Sequence, residues 1–158
     1  MNTRIVAIAN QKGGVGKTTT AVNLAACLVE RRMNVLLIDL DPQANATSGL
    51  GIEKAPGASA YRALLDGGDL RSLVRRTAYR RFDLVPSEID LAGAEQELGS
   101  AEGYPLQLRR ALEPLRAEGR YDAVLIDCPP SLGVLIPLQC EYYALEGLST
   151  IAHVIGEV

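Results

Sequence analysis

Short apolar runs recur along the chain and leave room for helices between them. Four of these runs lack any alternation of apolar and polar positions, as in parallel strands that are covered on both faces: residues 4–10, 35–39, 82–87 and 122–127. A fifth candidate strand, residues 134–139, contains Pro137, and a proline within a strand indicates the edge or the end of a sheet. The runs predict a sheet whose strands are mostly parallel.

Apolar residues in the intervening segments follow helical spacing instead. Residues 18–32 predict the first helix, with Arg31 and Arg32 in its last turn, where cations suit the helix dipole, and Asn34 as its C-terminal cap. The alternating order of strands and helices predicts a doubly wound α/β fold in a single domain, residues 1–158. Two further helix candidates lie between the later strands, at residues 89–98 and 106–116.

Composition narrows the class of protein. The chain has 158 residues, of which 47% are hydrophobic, and its formal net charge of −3 provides no whole-molecule attraction to nucleic acid or to an anionic membrane. No apolar run reaches the roughly 18–20 residues of a membrane span, and residues 1–9 hold no cleavable signal pattern. The cysteines fit neither a disulfide framework nor a zinc site. We therefore predict a reduced, cytoplasmic protein with three cysteines in or near its core, namely Cys27, Cys128 and Cys140.

The segment after the first strand predicts a phosphate-binding loop. Glycines allow the backbone to turn its N–H groups onto phosphate oxygens, and the following helix adds the positive potential of its N-terminus. Lys17 supplies charge to the β- and γ-phosphates, and Thr18 supplies a hydroxyl ligand for Mg²⁺. The strict glycine-rich pattern fails at Gln11, and the alternative is a glycine-rich turn that binds nothing. The residues predicted to contact ATP are Lys12, Gly13, Gly14, Val15, Gly16, Lys17, Thr18 and Thr19.

Two carboxylates at the carboxyl ends of predicted strands, Asp127 and Asp41, complete the predicted site. Asp127 ends an apolar run and is predicted to hold Mg²⁺, directly or through water. Asp41 follows the strand at residues 35–39, at the edge where open α/β sheets bind ligands, and is predicted to position or polarise the attacking water. Asp39 is predicted to lie closer to the metal. The alternative for any one of these aspartates is a helix cap or a turn at a strand end.

Five segments of the chain resemble the ParA/Soj chromosome- and plasmid-partitioning ATPases. These proteins belong to the deviant Walker A group, with the MinD-like proteins. The resemblance implies a cytoplasmic, nucleoid-associated bacterial ATPase with ATP and Mg²⁺ as ligands and no membrane partner. It also implies an ATP-dependent homodimer that binds DNA nonspecifically and is stimulated by a ParB-like partner. The segments are KGGVGKTTTAVNLAA, LLIDLDPQANATSGLG, LVPSEIDLAGAEQEL, YDAVLIDCPPSLG and LIPLQCEYYALEGLS.

The same resemblance implies a role for the second lysine of the loop. In similar proteins the residue that matches Lys12 reaches across the dimer to the phosphates of the partner's nucleotide, which supplies positive charge in trans. The alternative is a solvated lysine that adds only local attraction. With this role, the predicted catalytic residues are Lys12, Lys17 and Asp41, and the predicted metal ligands are Thr18, Asp39 and Asp127.

Two departures from the family pattern qualify these expectations. The family continues beyond Val158, with later strands and basic DNA-binding helices, so the fold is predicted to be incomplete at its C-terminus. Only three residues, 131–133, stand where the family places a helix and its connections, as though a segment had been deleted. The chain is therefore an active partition ATPase, a nucleotide-binding switch without turnover, or an inactive fragment.

The shortened connection limits what residues 134–139 are able to do. Neighbouring parallel strands need a crossover of about a dozen residues, whereas three extended residues reach about 10 Å. The strand candidate is therefore expected to pair antiparallel, to sit off the sheet, or to pair with another chain. We expect weak or no ATPase activity and no ATP-dependent DNA binding from the isolated chain.

An arginine-rich segment, residues 71–81, allows two interpretations. It holds five arginines and one tyrosine, a composition found in nucleic-acid contacts. The favoured interpretation is the solvated face of an amphipathic helix, because Leu73 and Val74 are interleaved with the arginines.

Overall fold

The computed structural model describes residues 3–65, 68–89, 91–92 and 107–130. In these residues a sheet is flanked by helices and one short 3₁₀ helix. The strands are β1 (Arg4–Ile8), β2 (Val35–Asp39), β3 (Arg75–Arg76), β4 (Phe82–Val85) and β5 (Ala123–Asp127). The helices are α1 (Lys17–Glu30), α2 (Asn45–Gly49), α3 (Tyr61–Leu65), the 3₁₀ helix Leu70–Leu73 and α4 (Gln107–Glu118).

The sheet confirms the predicted, mostly parallel architecture. Its strand order is β1-β5-β2-β4-β3. The first four strands in this order run parallel to one another, and the two-residue strand β3 pairs antiparallel with β4. Asp127 at the end of β5 is in register with Ile8 on one side and with Asp39 on the other. The carboxyl ends of β1, β5 and β2 therefore meet at one edge of the sheet.

Apolar side chains cover both faces of the central strands, which explains why their sequences do not alternate. On one face, Leu36 and Ile38 of β2 pack in a cluster with residues of α3 and α4. On the other face, Val35 and Leu37 pack with residues of α1. All five residues of β2 are buried. Helices on both faces confirm the doubly wound fold.

The first helix ends earlier than the sequence indicates. Its last residue is Glu30, so Arg31 and Arg32 lie beyond the last turn, and Asn34 is not its cap. Arg32 adopts a left-handed φ of 65°. The N–H of Arg32 donates to the carbonyl of Val29 at 2.8 Å, and the next N–H donates to that of Leu28 at 3.2 Å, which is the Schellman termination.

Asn34 instead joins the entrances of two strands. Its N–H donates to Asp122 Oδ2 at 2.7 Å, and the N–H of Asp122 donates to the Asn34 carbonyl at 2.9 Å. Asn34 therefore forms hydrogen bonds with Asp122, 88 positions away, instead of capping the first helix as the sequence suggests.

The prediction of an amphipathic helix at residues 71–81 is wrong. Asp69 accepts a hydrogen bond from the N–H of Arg71 at 2.9 Å and begins the short 3₁₀ helix, which ends at Leu73. The chain then forms the edge strand β3 and a tight turn into β4, where Thr77 Oγ1 donates to the Phe82 carbonyl at 2.6 Å. The open edge of β4 supplies the pairing that makes this segment extended.

Several predictions fall partly or wholly outside the described residues. The strand candidate at residues 134–139 and the shortened connection at residues 131–133 lie outside them, as does most of the helix candidate at residues 89–98. The predicted single domain likewise stays a prediction. In the part of the chain that is described, no helix is long and apolar enough to cross a membrane.

The corrected helix end predicts a contrast between two neighbouring arginines. A left-handed conformation costs a residue with a side chain about 1–2 kcal/mol, and glycine has a conformational-entropy cost of about 0.5–1 kcal/mol. Arg32→Gly should therefore raise the free energy of unfolding by about 0.5 kcal/mol. Arg31 has φ of −81°, so Arg31→Gly should lower it by a similar amount. Urea denaturation of both variants measures the difference, and equal losses in the two would contradict the assigned helix end.

Candidate functional site

Three adjacent strands bring the predicted site residues together at one edge of the sheet. The glycine-rich loop follows β1, Asp127 ends β5, and Asp39 ends β2. Since β5 lies between β1 and β2, Asp127 lies between the loop and Asp39. Asp41 follows Asp39 by two residues and accepts the N–H of Gln43 on Oδ1 at 2.9 Å.

The loop presents open space and unused donors. Gly14 and Gly16 have φ of 70° and 88°, values that strain any residue with a side chain. A Cβ placed on Gly13, Gly14 or Gly16 would meet no atom within 4 Å. The N–H groups of residues 13–18 donate no hydrogen bond to any described residue. Together these features form a cradle of positive polarity that suits a phosphate group.

The two loop lysines have different surroundings. Lys17 begins α1 and is half-buried, and its ammonium donates to the backbone carbonyl of Lys12 at 3.3 Å. Lys12 is exposed, and its N–H donates to Asn10 Oδ1 at 2.9 Å. The ammonium of Lys12 has no partner in the described residues. Lys17 is therefore held at the loop, whereas Lys12 is free to reach outward.

Asp127 is the most unusual group of the site. Its side chain is fully buried, and neither carboxylate oxygen has a hydrogen-bond partner among the described residues. Burial raises the pKa of Asp127 to about 6; the nearby hydroxyl of Thr18 and the charge of Lys17 act to lower it, while Asp39 and Asp41 act to raise it. Buried polar atoms without partners are rare, and two hard oxygens in this position fit a divalent cation such as Mg²⁺.

Asp39 is equally buried but well hydrogen-bonded. Its Oδ2 accepts the N–H of Thr47 at 2.9 Å and the hydroxyl of Thr47 at 2.7 Å, and its Oδ1 accepts the N–H of Asp41 at 3.2 Å. Burial raises the pKa of Asp39, and the two bonds from Thr47 oppose that rise. Oδ1, with one long bond, is the oxygen that retains capacity for a metal or a water.

Sequence reasoning missed two residues, Thr47 and Ser87, that hold the segment from Asp39 to Asp41 in place. The Thr47 hydroxyl accepts the N–H of Ser87 at 2.9 Å, and the Ser87 hydroxyl donates to the Asp41 carbonyl at 2.7 Å. The links connect the ends of β2 and β4 through α2. No local sequence signal identifies them, because Ser87 and Asp41 are 46 positions apart.

Comparison with known proteins identifies the family. The sequence model of the AAA domain matches residues 3–158. This chain belongs to the AAA domain family. It is of the ParA/Soj type, which confirms the resemblance: the sporulation initiation inhibitor protein Soj of Bacillus subtilis is 50% identical over 96% of this chain, and the chromosome partitioning protein ParA of Myxococcus xanthus is 52% identical over 98%.

The match covers nearly all of this chain but only part of these relatives. The chain spans 64% of the length of the Soj protein and 59% of the ParA protein. Both alignments, over 165 and 168 residues, are longer than the 158 residues of this chain. The relatives therefore have residues inside the matched region that this chain lacks.

Solved structures confirm the P-loop NTPase fold of this AAA domain. A structure described as cobyrinic acid a,c-diamide synthase from Mycobacterium smegmatis, with bound ATP analog and magnesium, has a TM-score of 0.77 and 42% identity, and the match covers 96% of this chain and 68% of that one. A plasmid partition protein from Borrelia burgdorferi has a TM-score of 0.69 and 29% identity, with coverages of 98% and 73%. The roles assigned here to individual residues stay predictions.

The buried carboxylate of Asp127 has no hydrogen-bond partner among the described residues. We therefore expect the stability of the ligand-free chain to depend on pH. Because the pKa of Asp127 in the folded chain, about 6, lies above its ordinary value of 3.8, protonation favours folding and stability falls as pH rises through this window. Asp127→Asn removes the ionisable group, so the variant should not lose stability as pH rises. It should therefore be more stable than the parent chain by about 1–2 kcal/mol above about pH 7.

Thermal unfolding between about pH 5 and about pH 8 measures this difference. The gap between Asp127→Asn and the parent should narrow toward the acid end. The exposed residue Glu113 provides the control, since Glu113→Gln also removes one carboxylate. A destabilised Asp127→Asn at neutral pH would show that the carboxylate has a partner.

Proposed function

We propose that this chain binds Mg-ATP and hydrolyses it, as the ATPase of a ParA/Soj-type system that segregates chromosomes or plasmids. The observation that carries the proposal is the fully buried Asp127, whose oxygens lack partners in the described residues, beside a loop of unused N–H donors. A cation next to Asp127 and an anion on the loop would satisfy both sets of groups. Mg-ATP has both parts.

The phosphates would bind at the loop and the start of α1. The N–H groups of residues 13–18 provide donors, and Lys17 provides a fixed positive charge beside them. The side chains of Thr18 and Thr19 lie in the first turn of α1, where the helix N-terminus adds positive potential. Val15 is exposed at the tip of the loop, so its backbone, rather than its side chain, is the part that would contact ATP.

Magnesium would be held by Asp127 and Thr18, with Oδ1 of Asp39 as the further candidate. In the described residues, no three histidine, cysteine or acidic side chains form a metal cluster. Mg²⁺ in nucleotide sites needs only one or two protein carboxylates, because waters and phosphate oxygens complete its shell. When bound, the ion neutralises charge that develops on the transferring phosphoryl group.

Asp41 is the proposed residue that orients the attacking water. Its Oδ1 accepts the N–H of Gln43, and Oδ2 has no partner among the described residues. The Ser87 hydroxyl and the Ala44 N–H, at 2.7 and 2.8 Å, both hold the Asp41 carbonyl. The backbone is therefore fixed while one carboxylate oxygen stays available to accept a proton from water.

Lys12 is the residue proposed to couple ATP hydrolysis to dimer formation. Its ammonium is exposed and unengaged in the described residues, which suits a role in trans at the nucleotide of a second copy. The proposed partners are a second copy of the chain in an ATP-dependent homodimer, nonspecific DNA and a ParB-like protein. Relatives named for chromosome and plasmid partition support the role in segregation. A cytoplasmic, nucleoid-associated protein follows from the same proposal.

Nucleotide binding is tested by thermal stability. Mg-ADP at about 100 times its dissociation constant should stabilise the chain by about 2.7 kcal/mol. Lys17→Ala should abolish this gain, because the phosphates lose their nearest fixed charge. Lys54→Ala removes an exposed lysine outside the loop and should keep the gain. Melting curves that do not respond to millimolar Mg-ADP would refute the proposal.

The roles of Lys12 and Asp41 are separated by two further variants. Lys12→Ala should keep ADP affinity within about twofold of the parent while removing ATP-dependent dimers, measured by calorimetry and light scattering. Asp41→Asn keeps an oxygen for the Gln43 N–H, so it should keep ATP binding and dimers while turnover falls about 10²–10⁴-fold. If both variants weakened ADP binding as severely as Lys17→Ala, this assignment would be wrong.

A further inference from the structure

A cleft of about 350 Å³ opens at the end of the sheet opposite the phosphate-binding loop. It lies beside Asn34, which precedes β2, beside Asp83 in β4, and beside Tyr121, which precedes β5. These are the amino ends of the parallel strands, whereas the loop and the aspartates lie at the carboxyl ends. We call it the arginine cleft, after the four arginines that line it: Arg76, Arg80, Arg81 and Arg120.

The charge of the arginine cleft is strongly positive. Asp83 is the one carboxylate among its lining residues, and its charge is balanced by an ion pair with Arg120. Its Oδ2 accepts the Arg120 guanidinium at 2.6 Å and the Tyr121 hydroxyl at 2.8 Å. The Arg120 guanidinium also lies 5.1 Å from the centre of the Tyr121 ring. Among the described residues, no second carboxylate lines the cleft to balance the other three arginines, in a chain whose net charge is −3.

Most guanidinium donors of these three arginines are unused. The guanidinium groups of Arg76 and Arg80 make no hydrogen bond or ion pair with any described residue. Arg81 uses one nitrogen, which donates to the Arg32 carbonyl at 2.5 Å. Each guanidinium carries five N–H donors, so the cleft has many donors without an acceptor. An anion with several oxygens would satisfy them.

The arginines are presented by an ordered turn. Arg76 is held in β3 by pairing with Asp83 of β4. In the turn that follows, the Thr77 hydroxyl accepts the N–H of Tyr79 at 3.1 Å and donates to the carbonyl of Phe82. Arg81 closes the turn with a left-handed φ of 70°. Because the backbone is fixed by these bonds, little backbone entropy is lost when a ligand orders the side chains.

We propose that the arginine cleft binds a small phosphorylated ligand, at a site separate from the phosphate-binding loop. Guanidinium groups match phosphate oxygens through paired N–H donors, and a phosphate dianion balances more of the excess charge than one carboxylate does. The volume lies at the small end of the usual range for ligand sites, about 300–1,000 Å³. A cleft of this volume suits a small molecule better than a nucleic-acid chain.

Calorimetric titration with inorganic pyrophosphate tests this proposal. The titration uses the Lys17→Ala chain, so that the disabled loop contributes little and the result does not depend on ATP binding. In that background, Arg76→Ala with Arg80→Ala should weaken pyrophosphate binding at least about tenfold, because the charge-assisted hydrogen bonds from both guanidinium groups are lost. Both arginines are exposed, so circular dichroism and melting should match those of the parent.

The matched control removes the same charge elsewhere. Arg109 and Arg110 are exposed on α4 and do not line the cleft, so Arg109→Ala with Arg110→Ala should keep pyrophosphate affinity within about twofold. Equal losses in the two double variants would overturn the proposal, as would absence of pyrophosphate binding. Binding of a single-stranded oligothymidylate through Arg76 and Arg80, without pyrophosphate binding, would overturn it in favour of a nucleic-acid surface.

Discussion

The parallel, in-register pairing of β1, β5 and β2 is the constraint on which the site depends. It ends three strands at one edge and places Asp127 beside Ile8 and Asp39. The loop after β1 then begins next to two buried carboxylates. A slip of one residue in β5 would turn Asp127 to the other face of the sheet, and the loop would lose its acidic neighbour.

The buried carboxylates of Asp39 and Asp127 differ in their hydrogen bonding, and this difference indicates which of them suits a cation. Thr47 donates twice to Asp39, so the charge of Asp39 is supported by the protein itself. Asp127 has no such donor among the described residues, and its raised pKa follows mainly from burial. An acid that is costly to ionise alone becomes favourable to ionise beside a cation. With a cation bound there as proposed, folding and ligand binding would be coupled at this one group.

Charge is divided between the two ends of the sheet. The carboxyl ends carry three aspartates together with the lysines of the loop, and the amino ends carry the arginine cleft. The strand β2 spans both regions in five residues, or roughly 17 Å at the usual rise per residue. The separation would allow the two proposed sites to bind different anions without sharing a side chain.

The sequence by itself determined the features that depend on neighbouring residues. Non-alternating apolar runs located β1, β2, β4 and β5 to within a few residues, and the glycines followed by Lys17 and Thr18 located the loop. The tertiary structure decided whatever depends on distant partners. It made residues 75–76 an edge strand, because β4 offered an unpaired edge. It joined Asn34 to Asp122, and Thr47 to both Asp39 and Ser87. It also left Asp127 without a partner in the described residues. No local pattern reports such contacts, because their free energies arise only when strands that are far apart in the chain lie side by side.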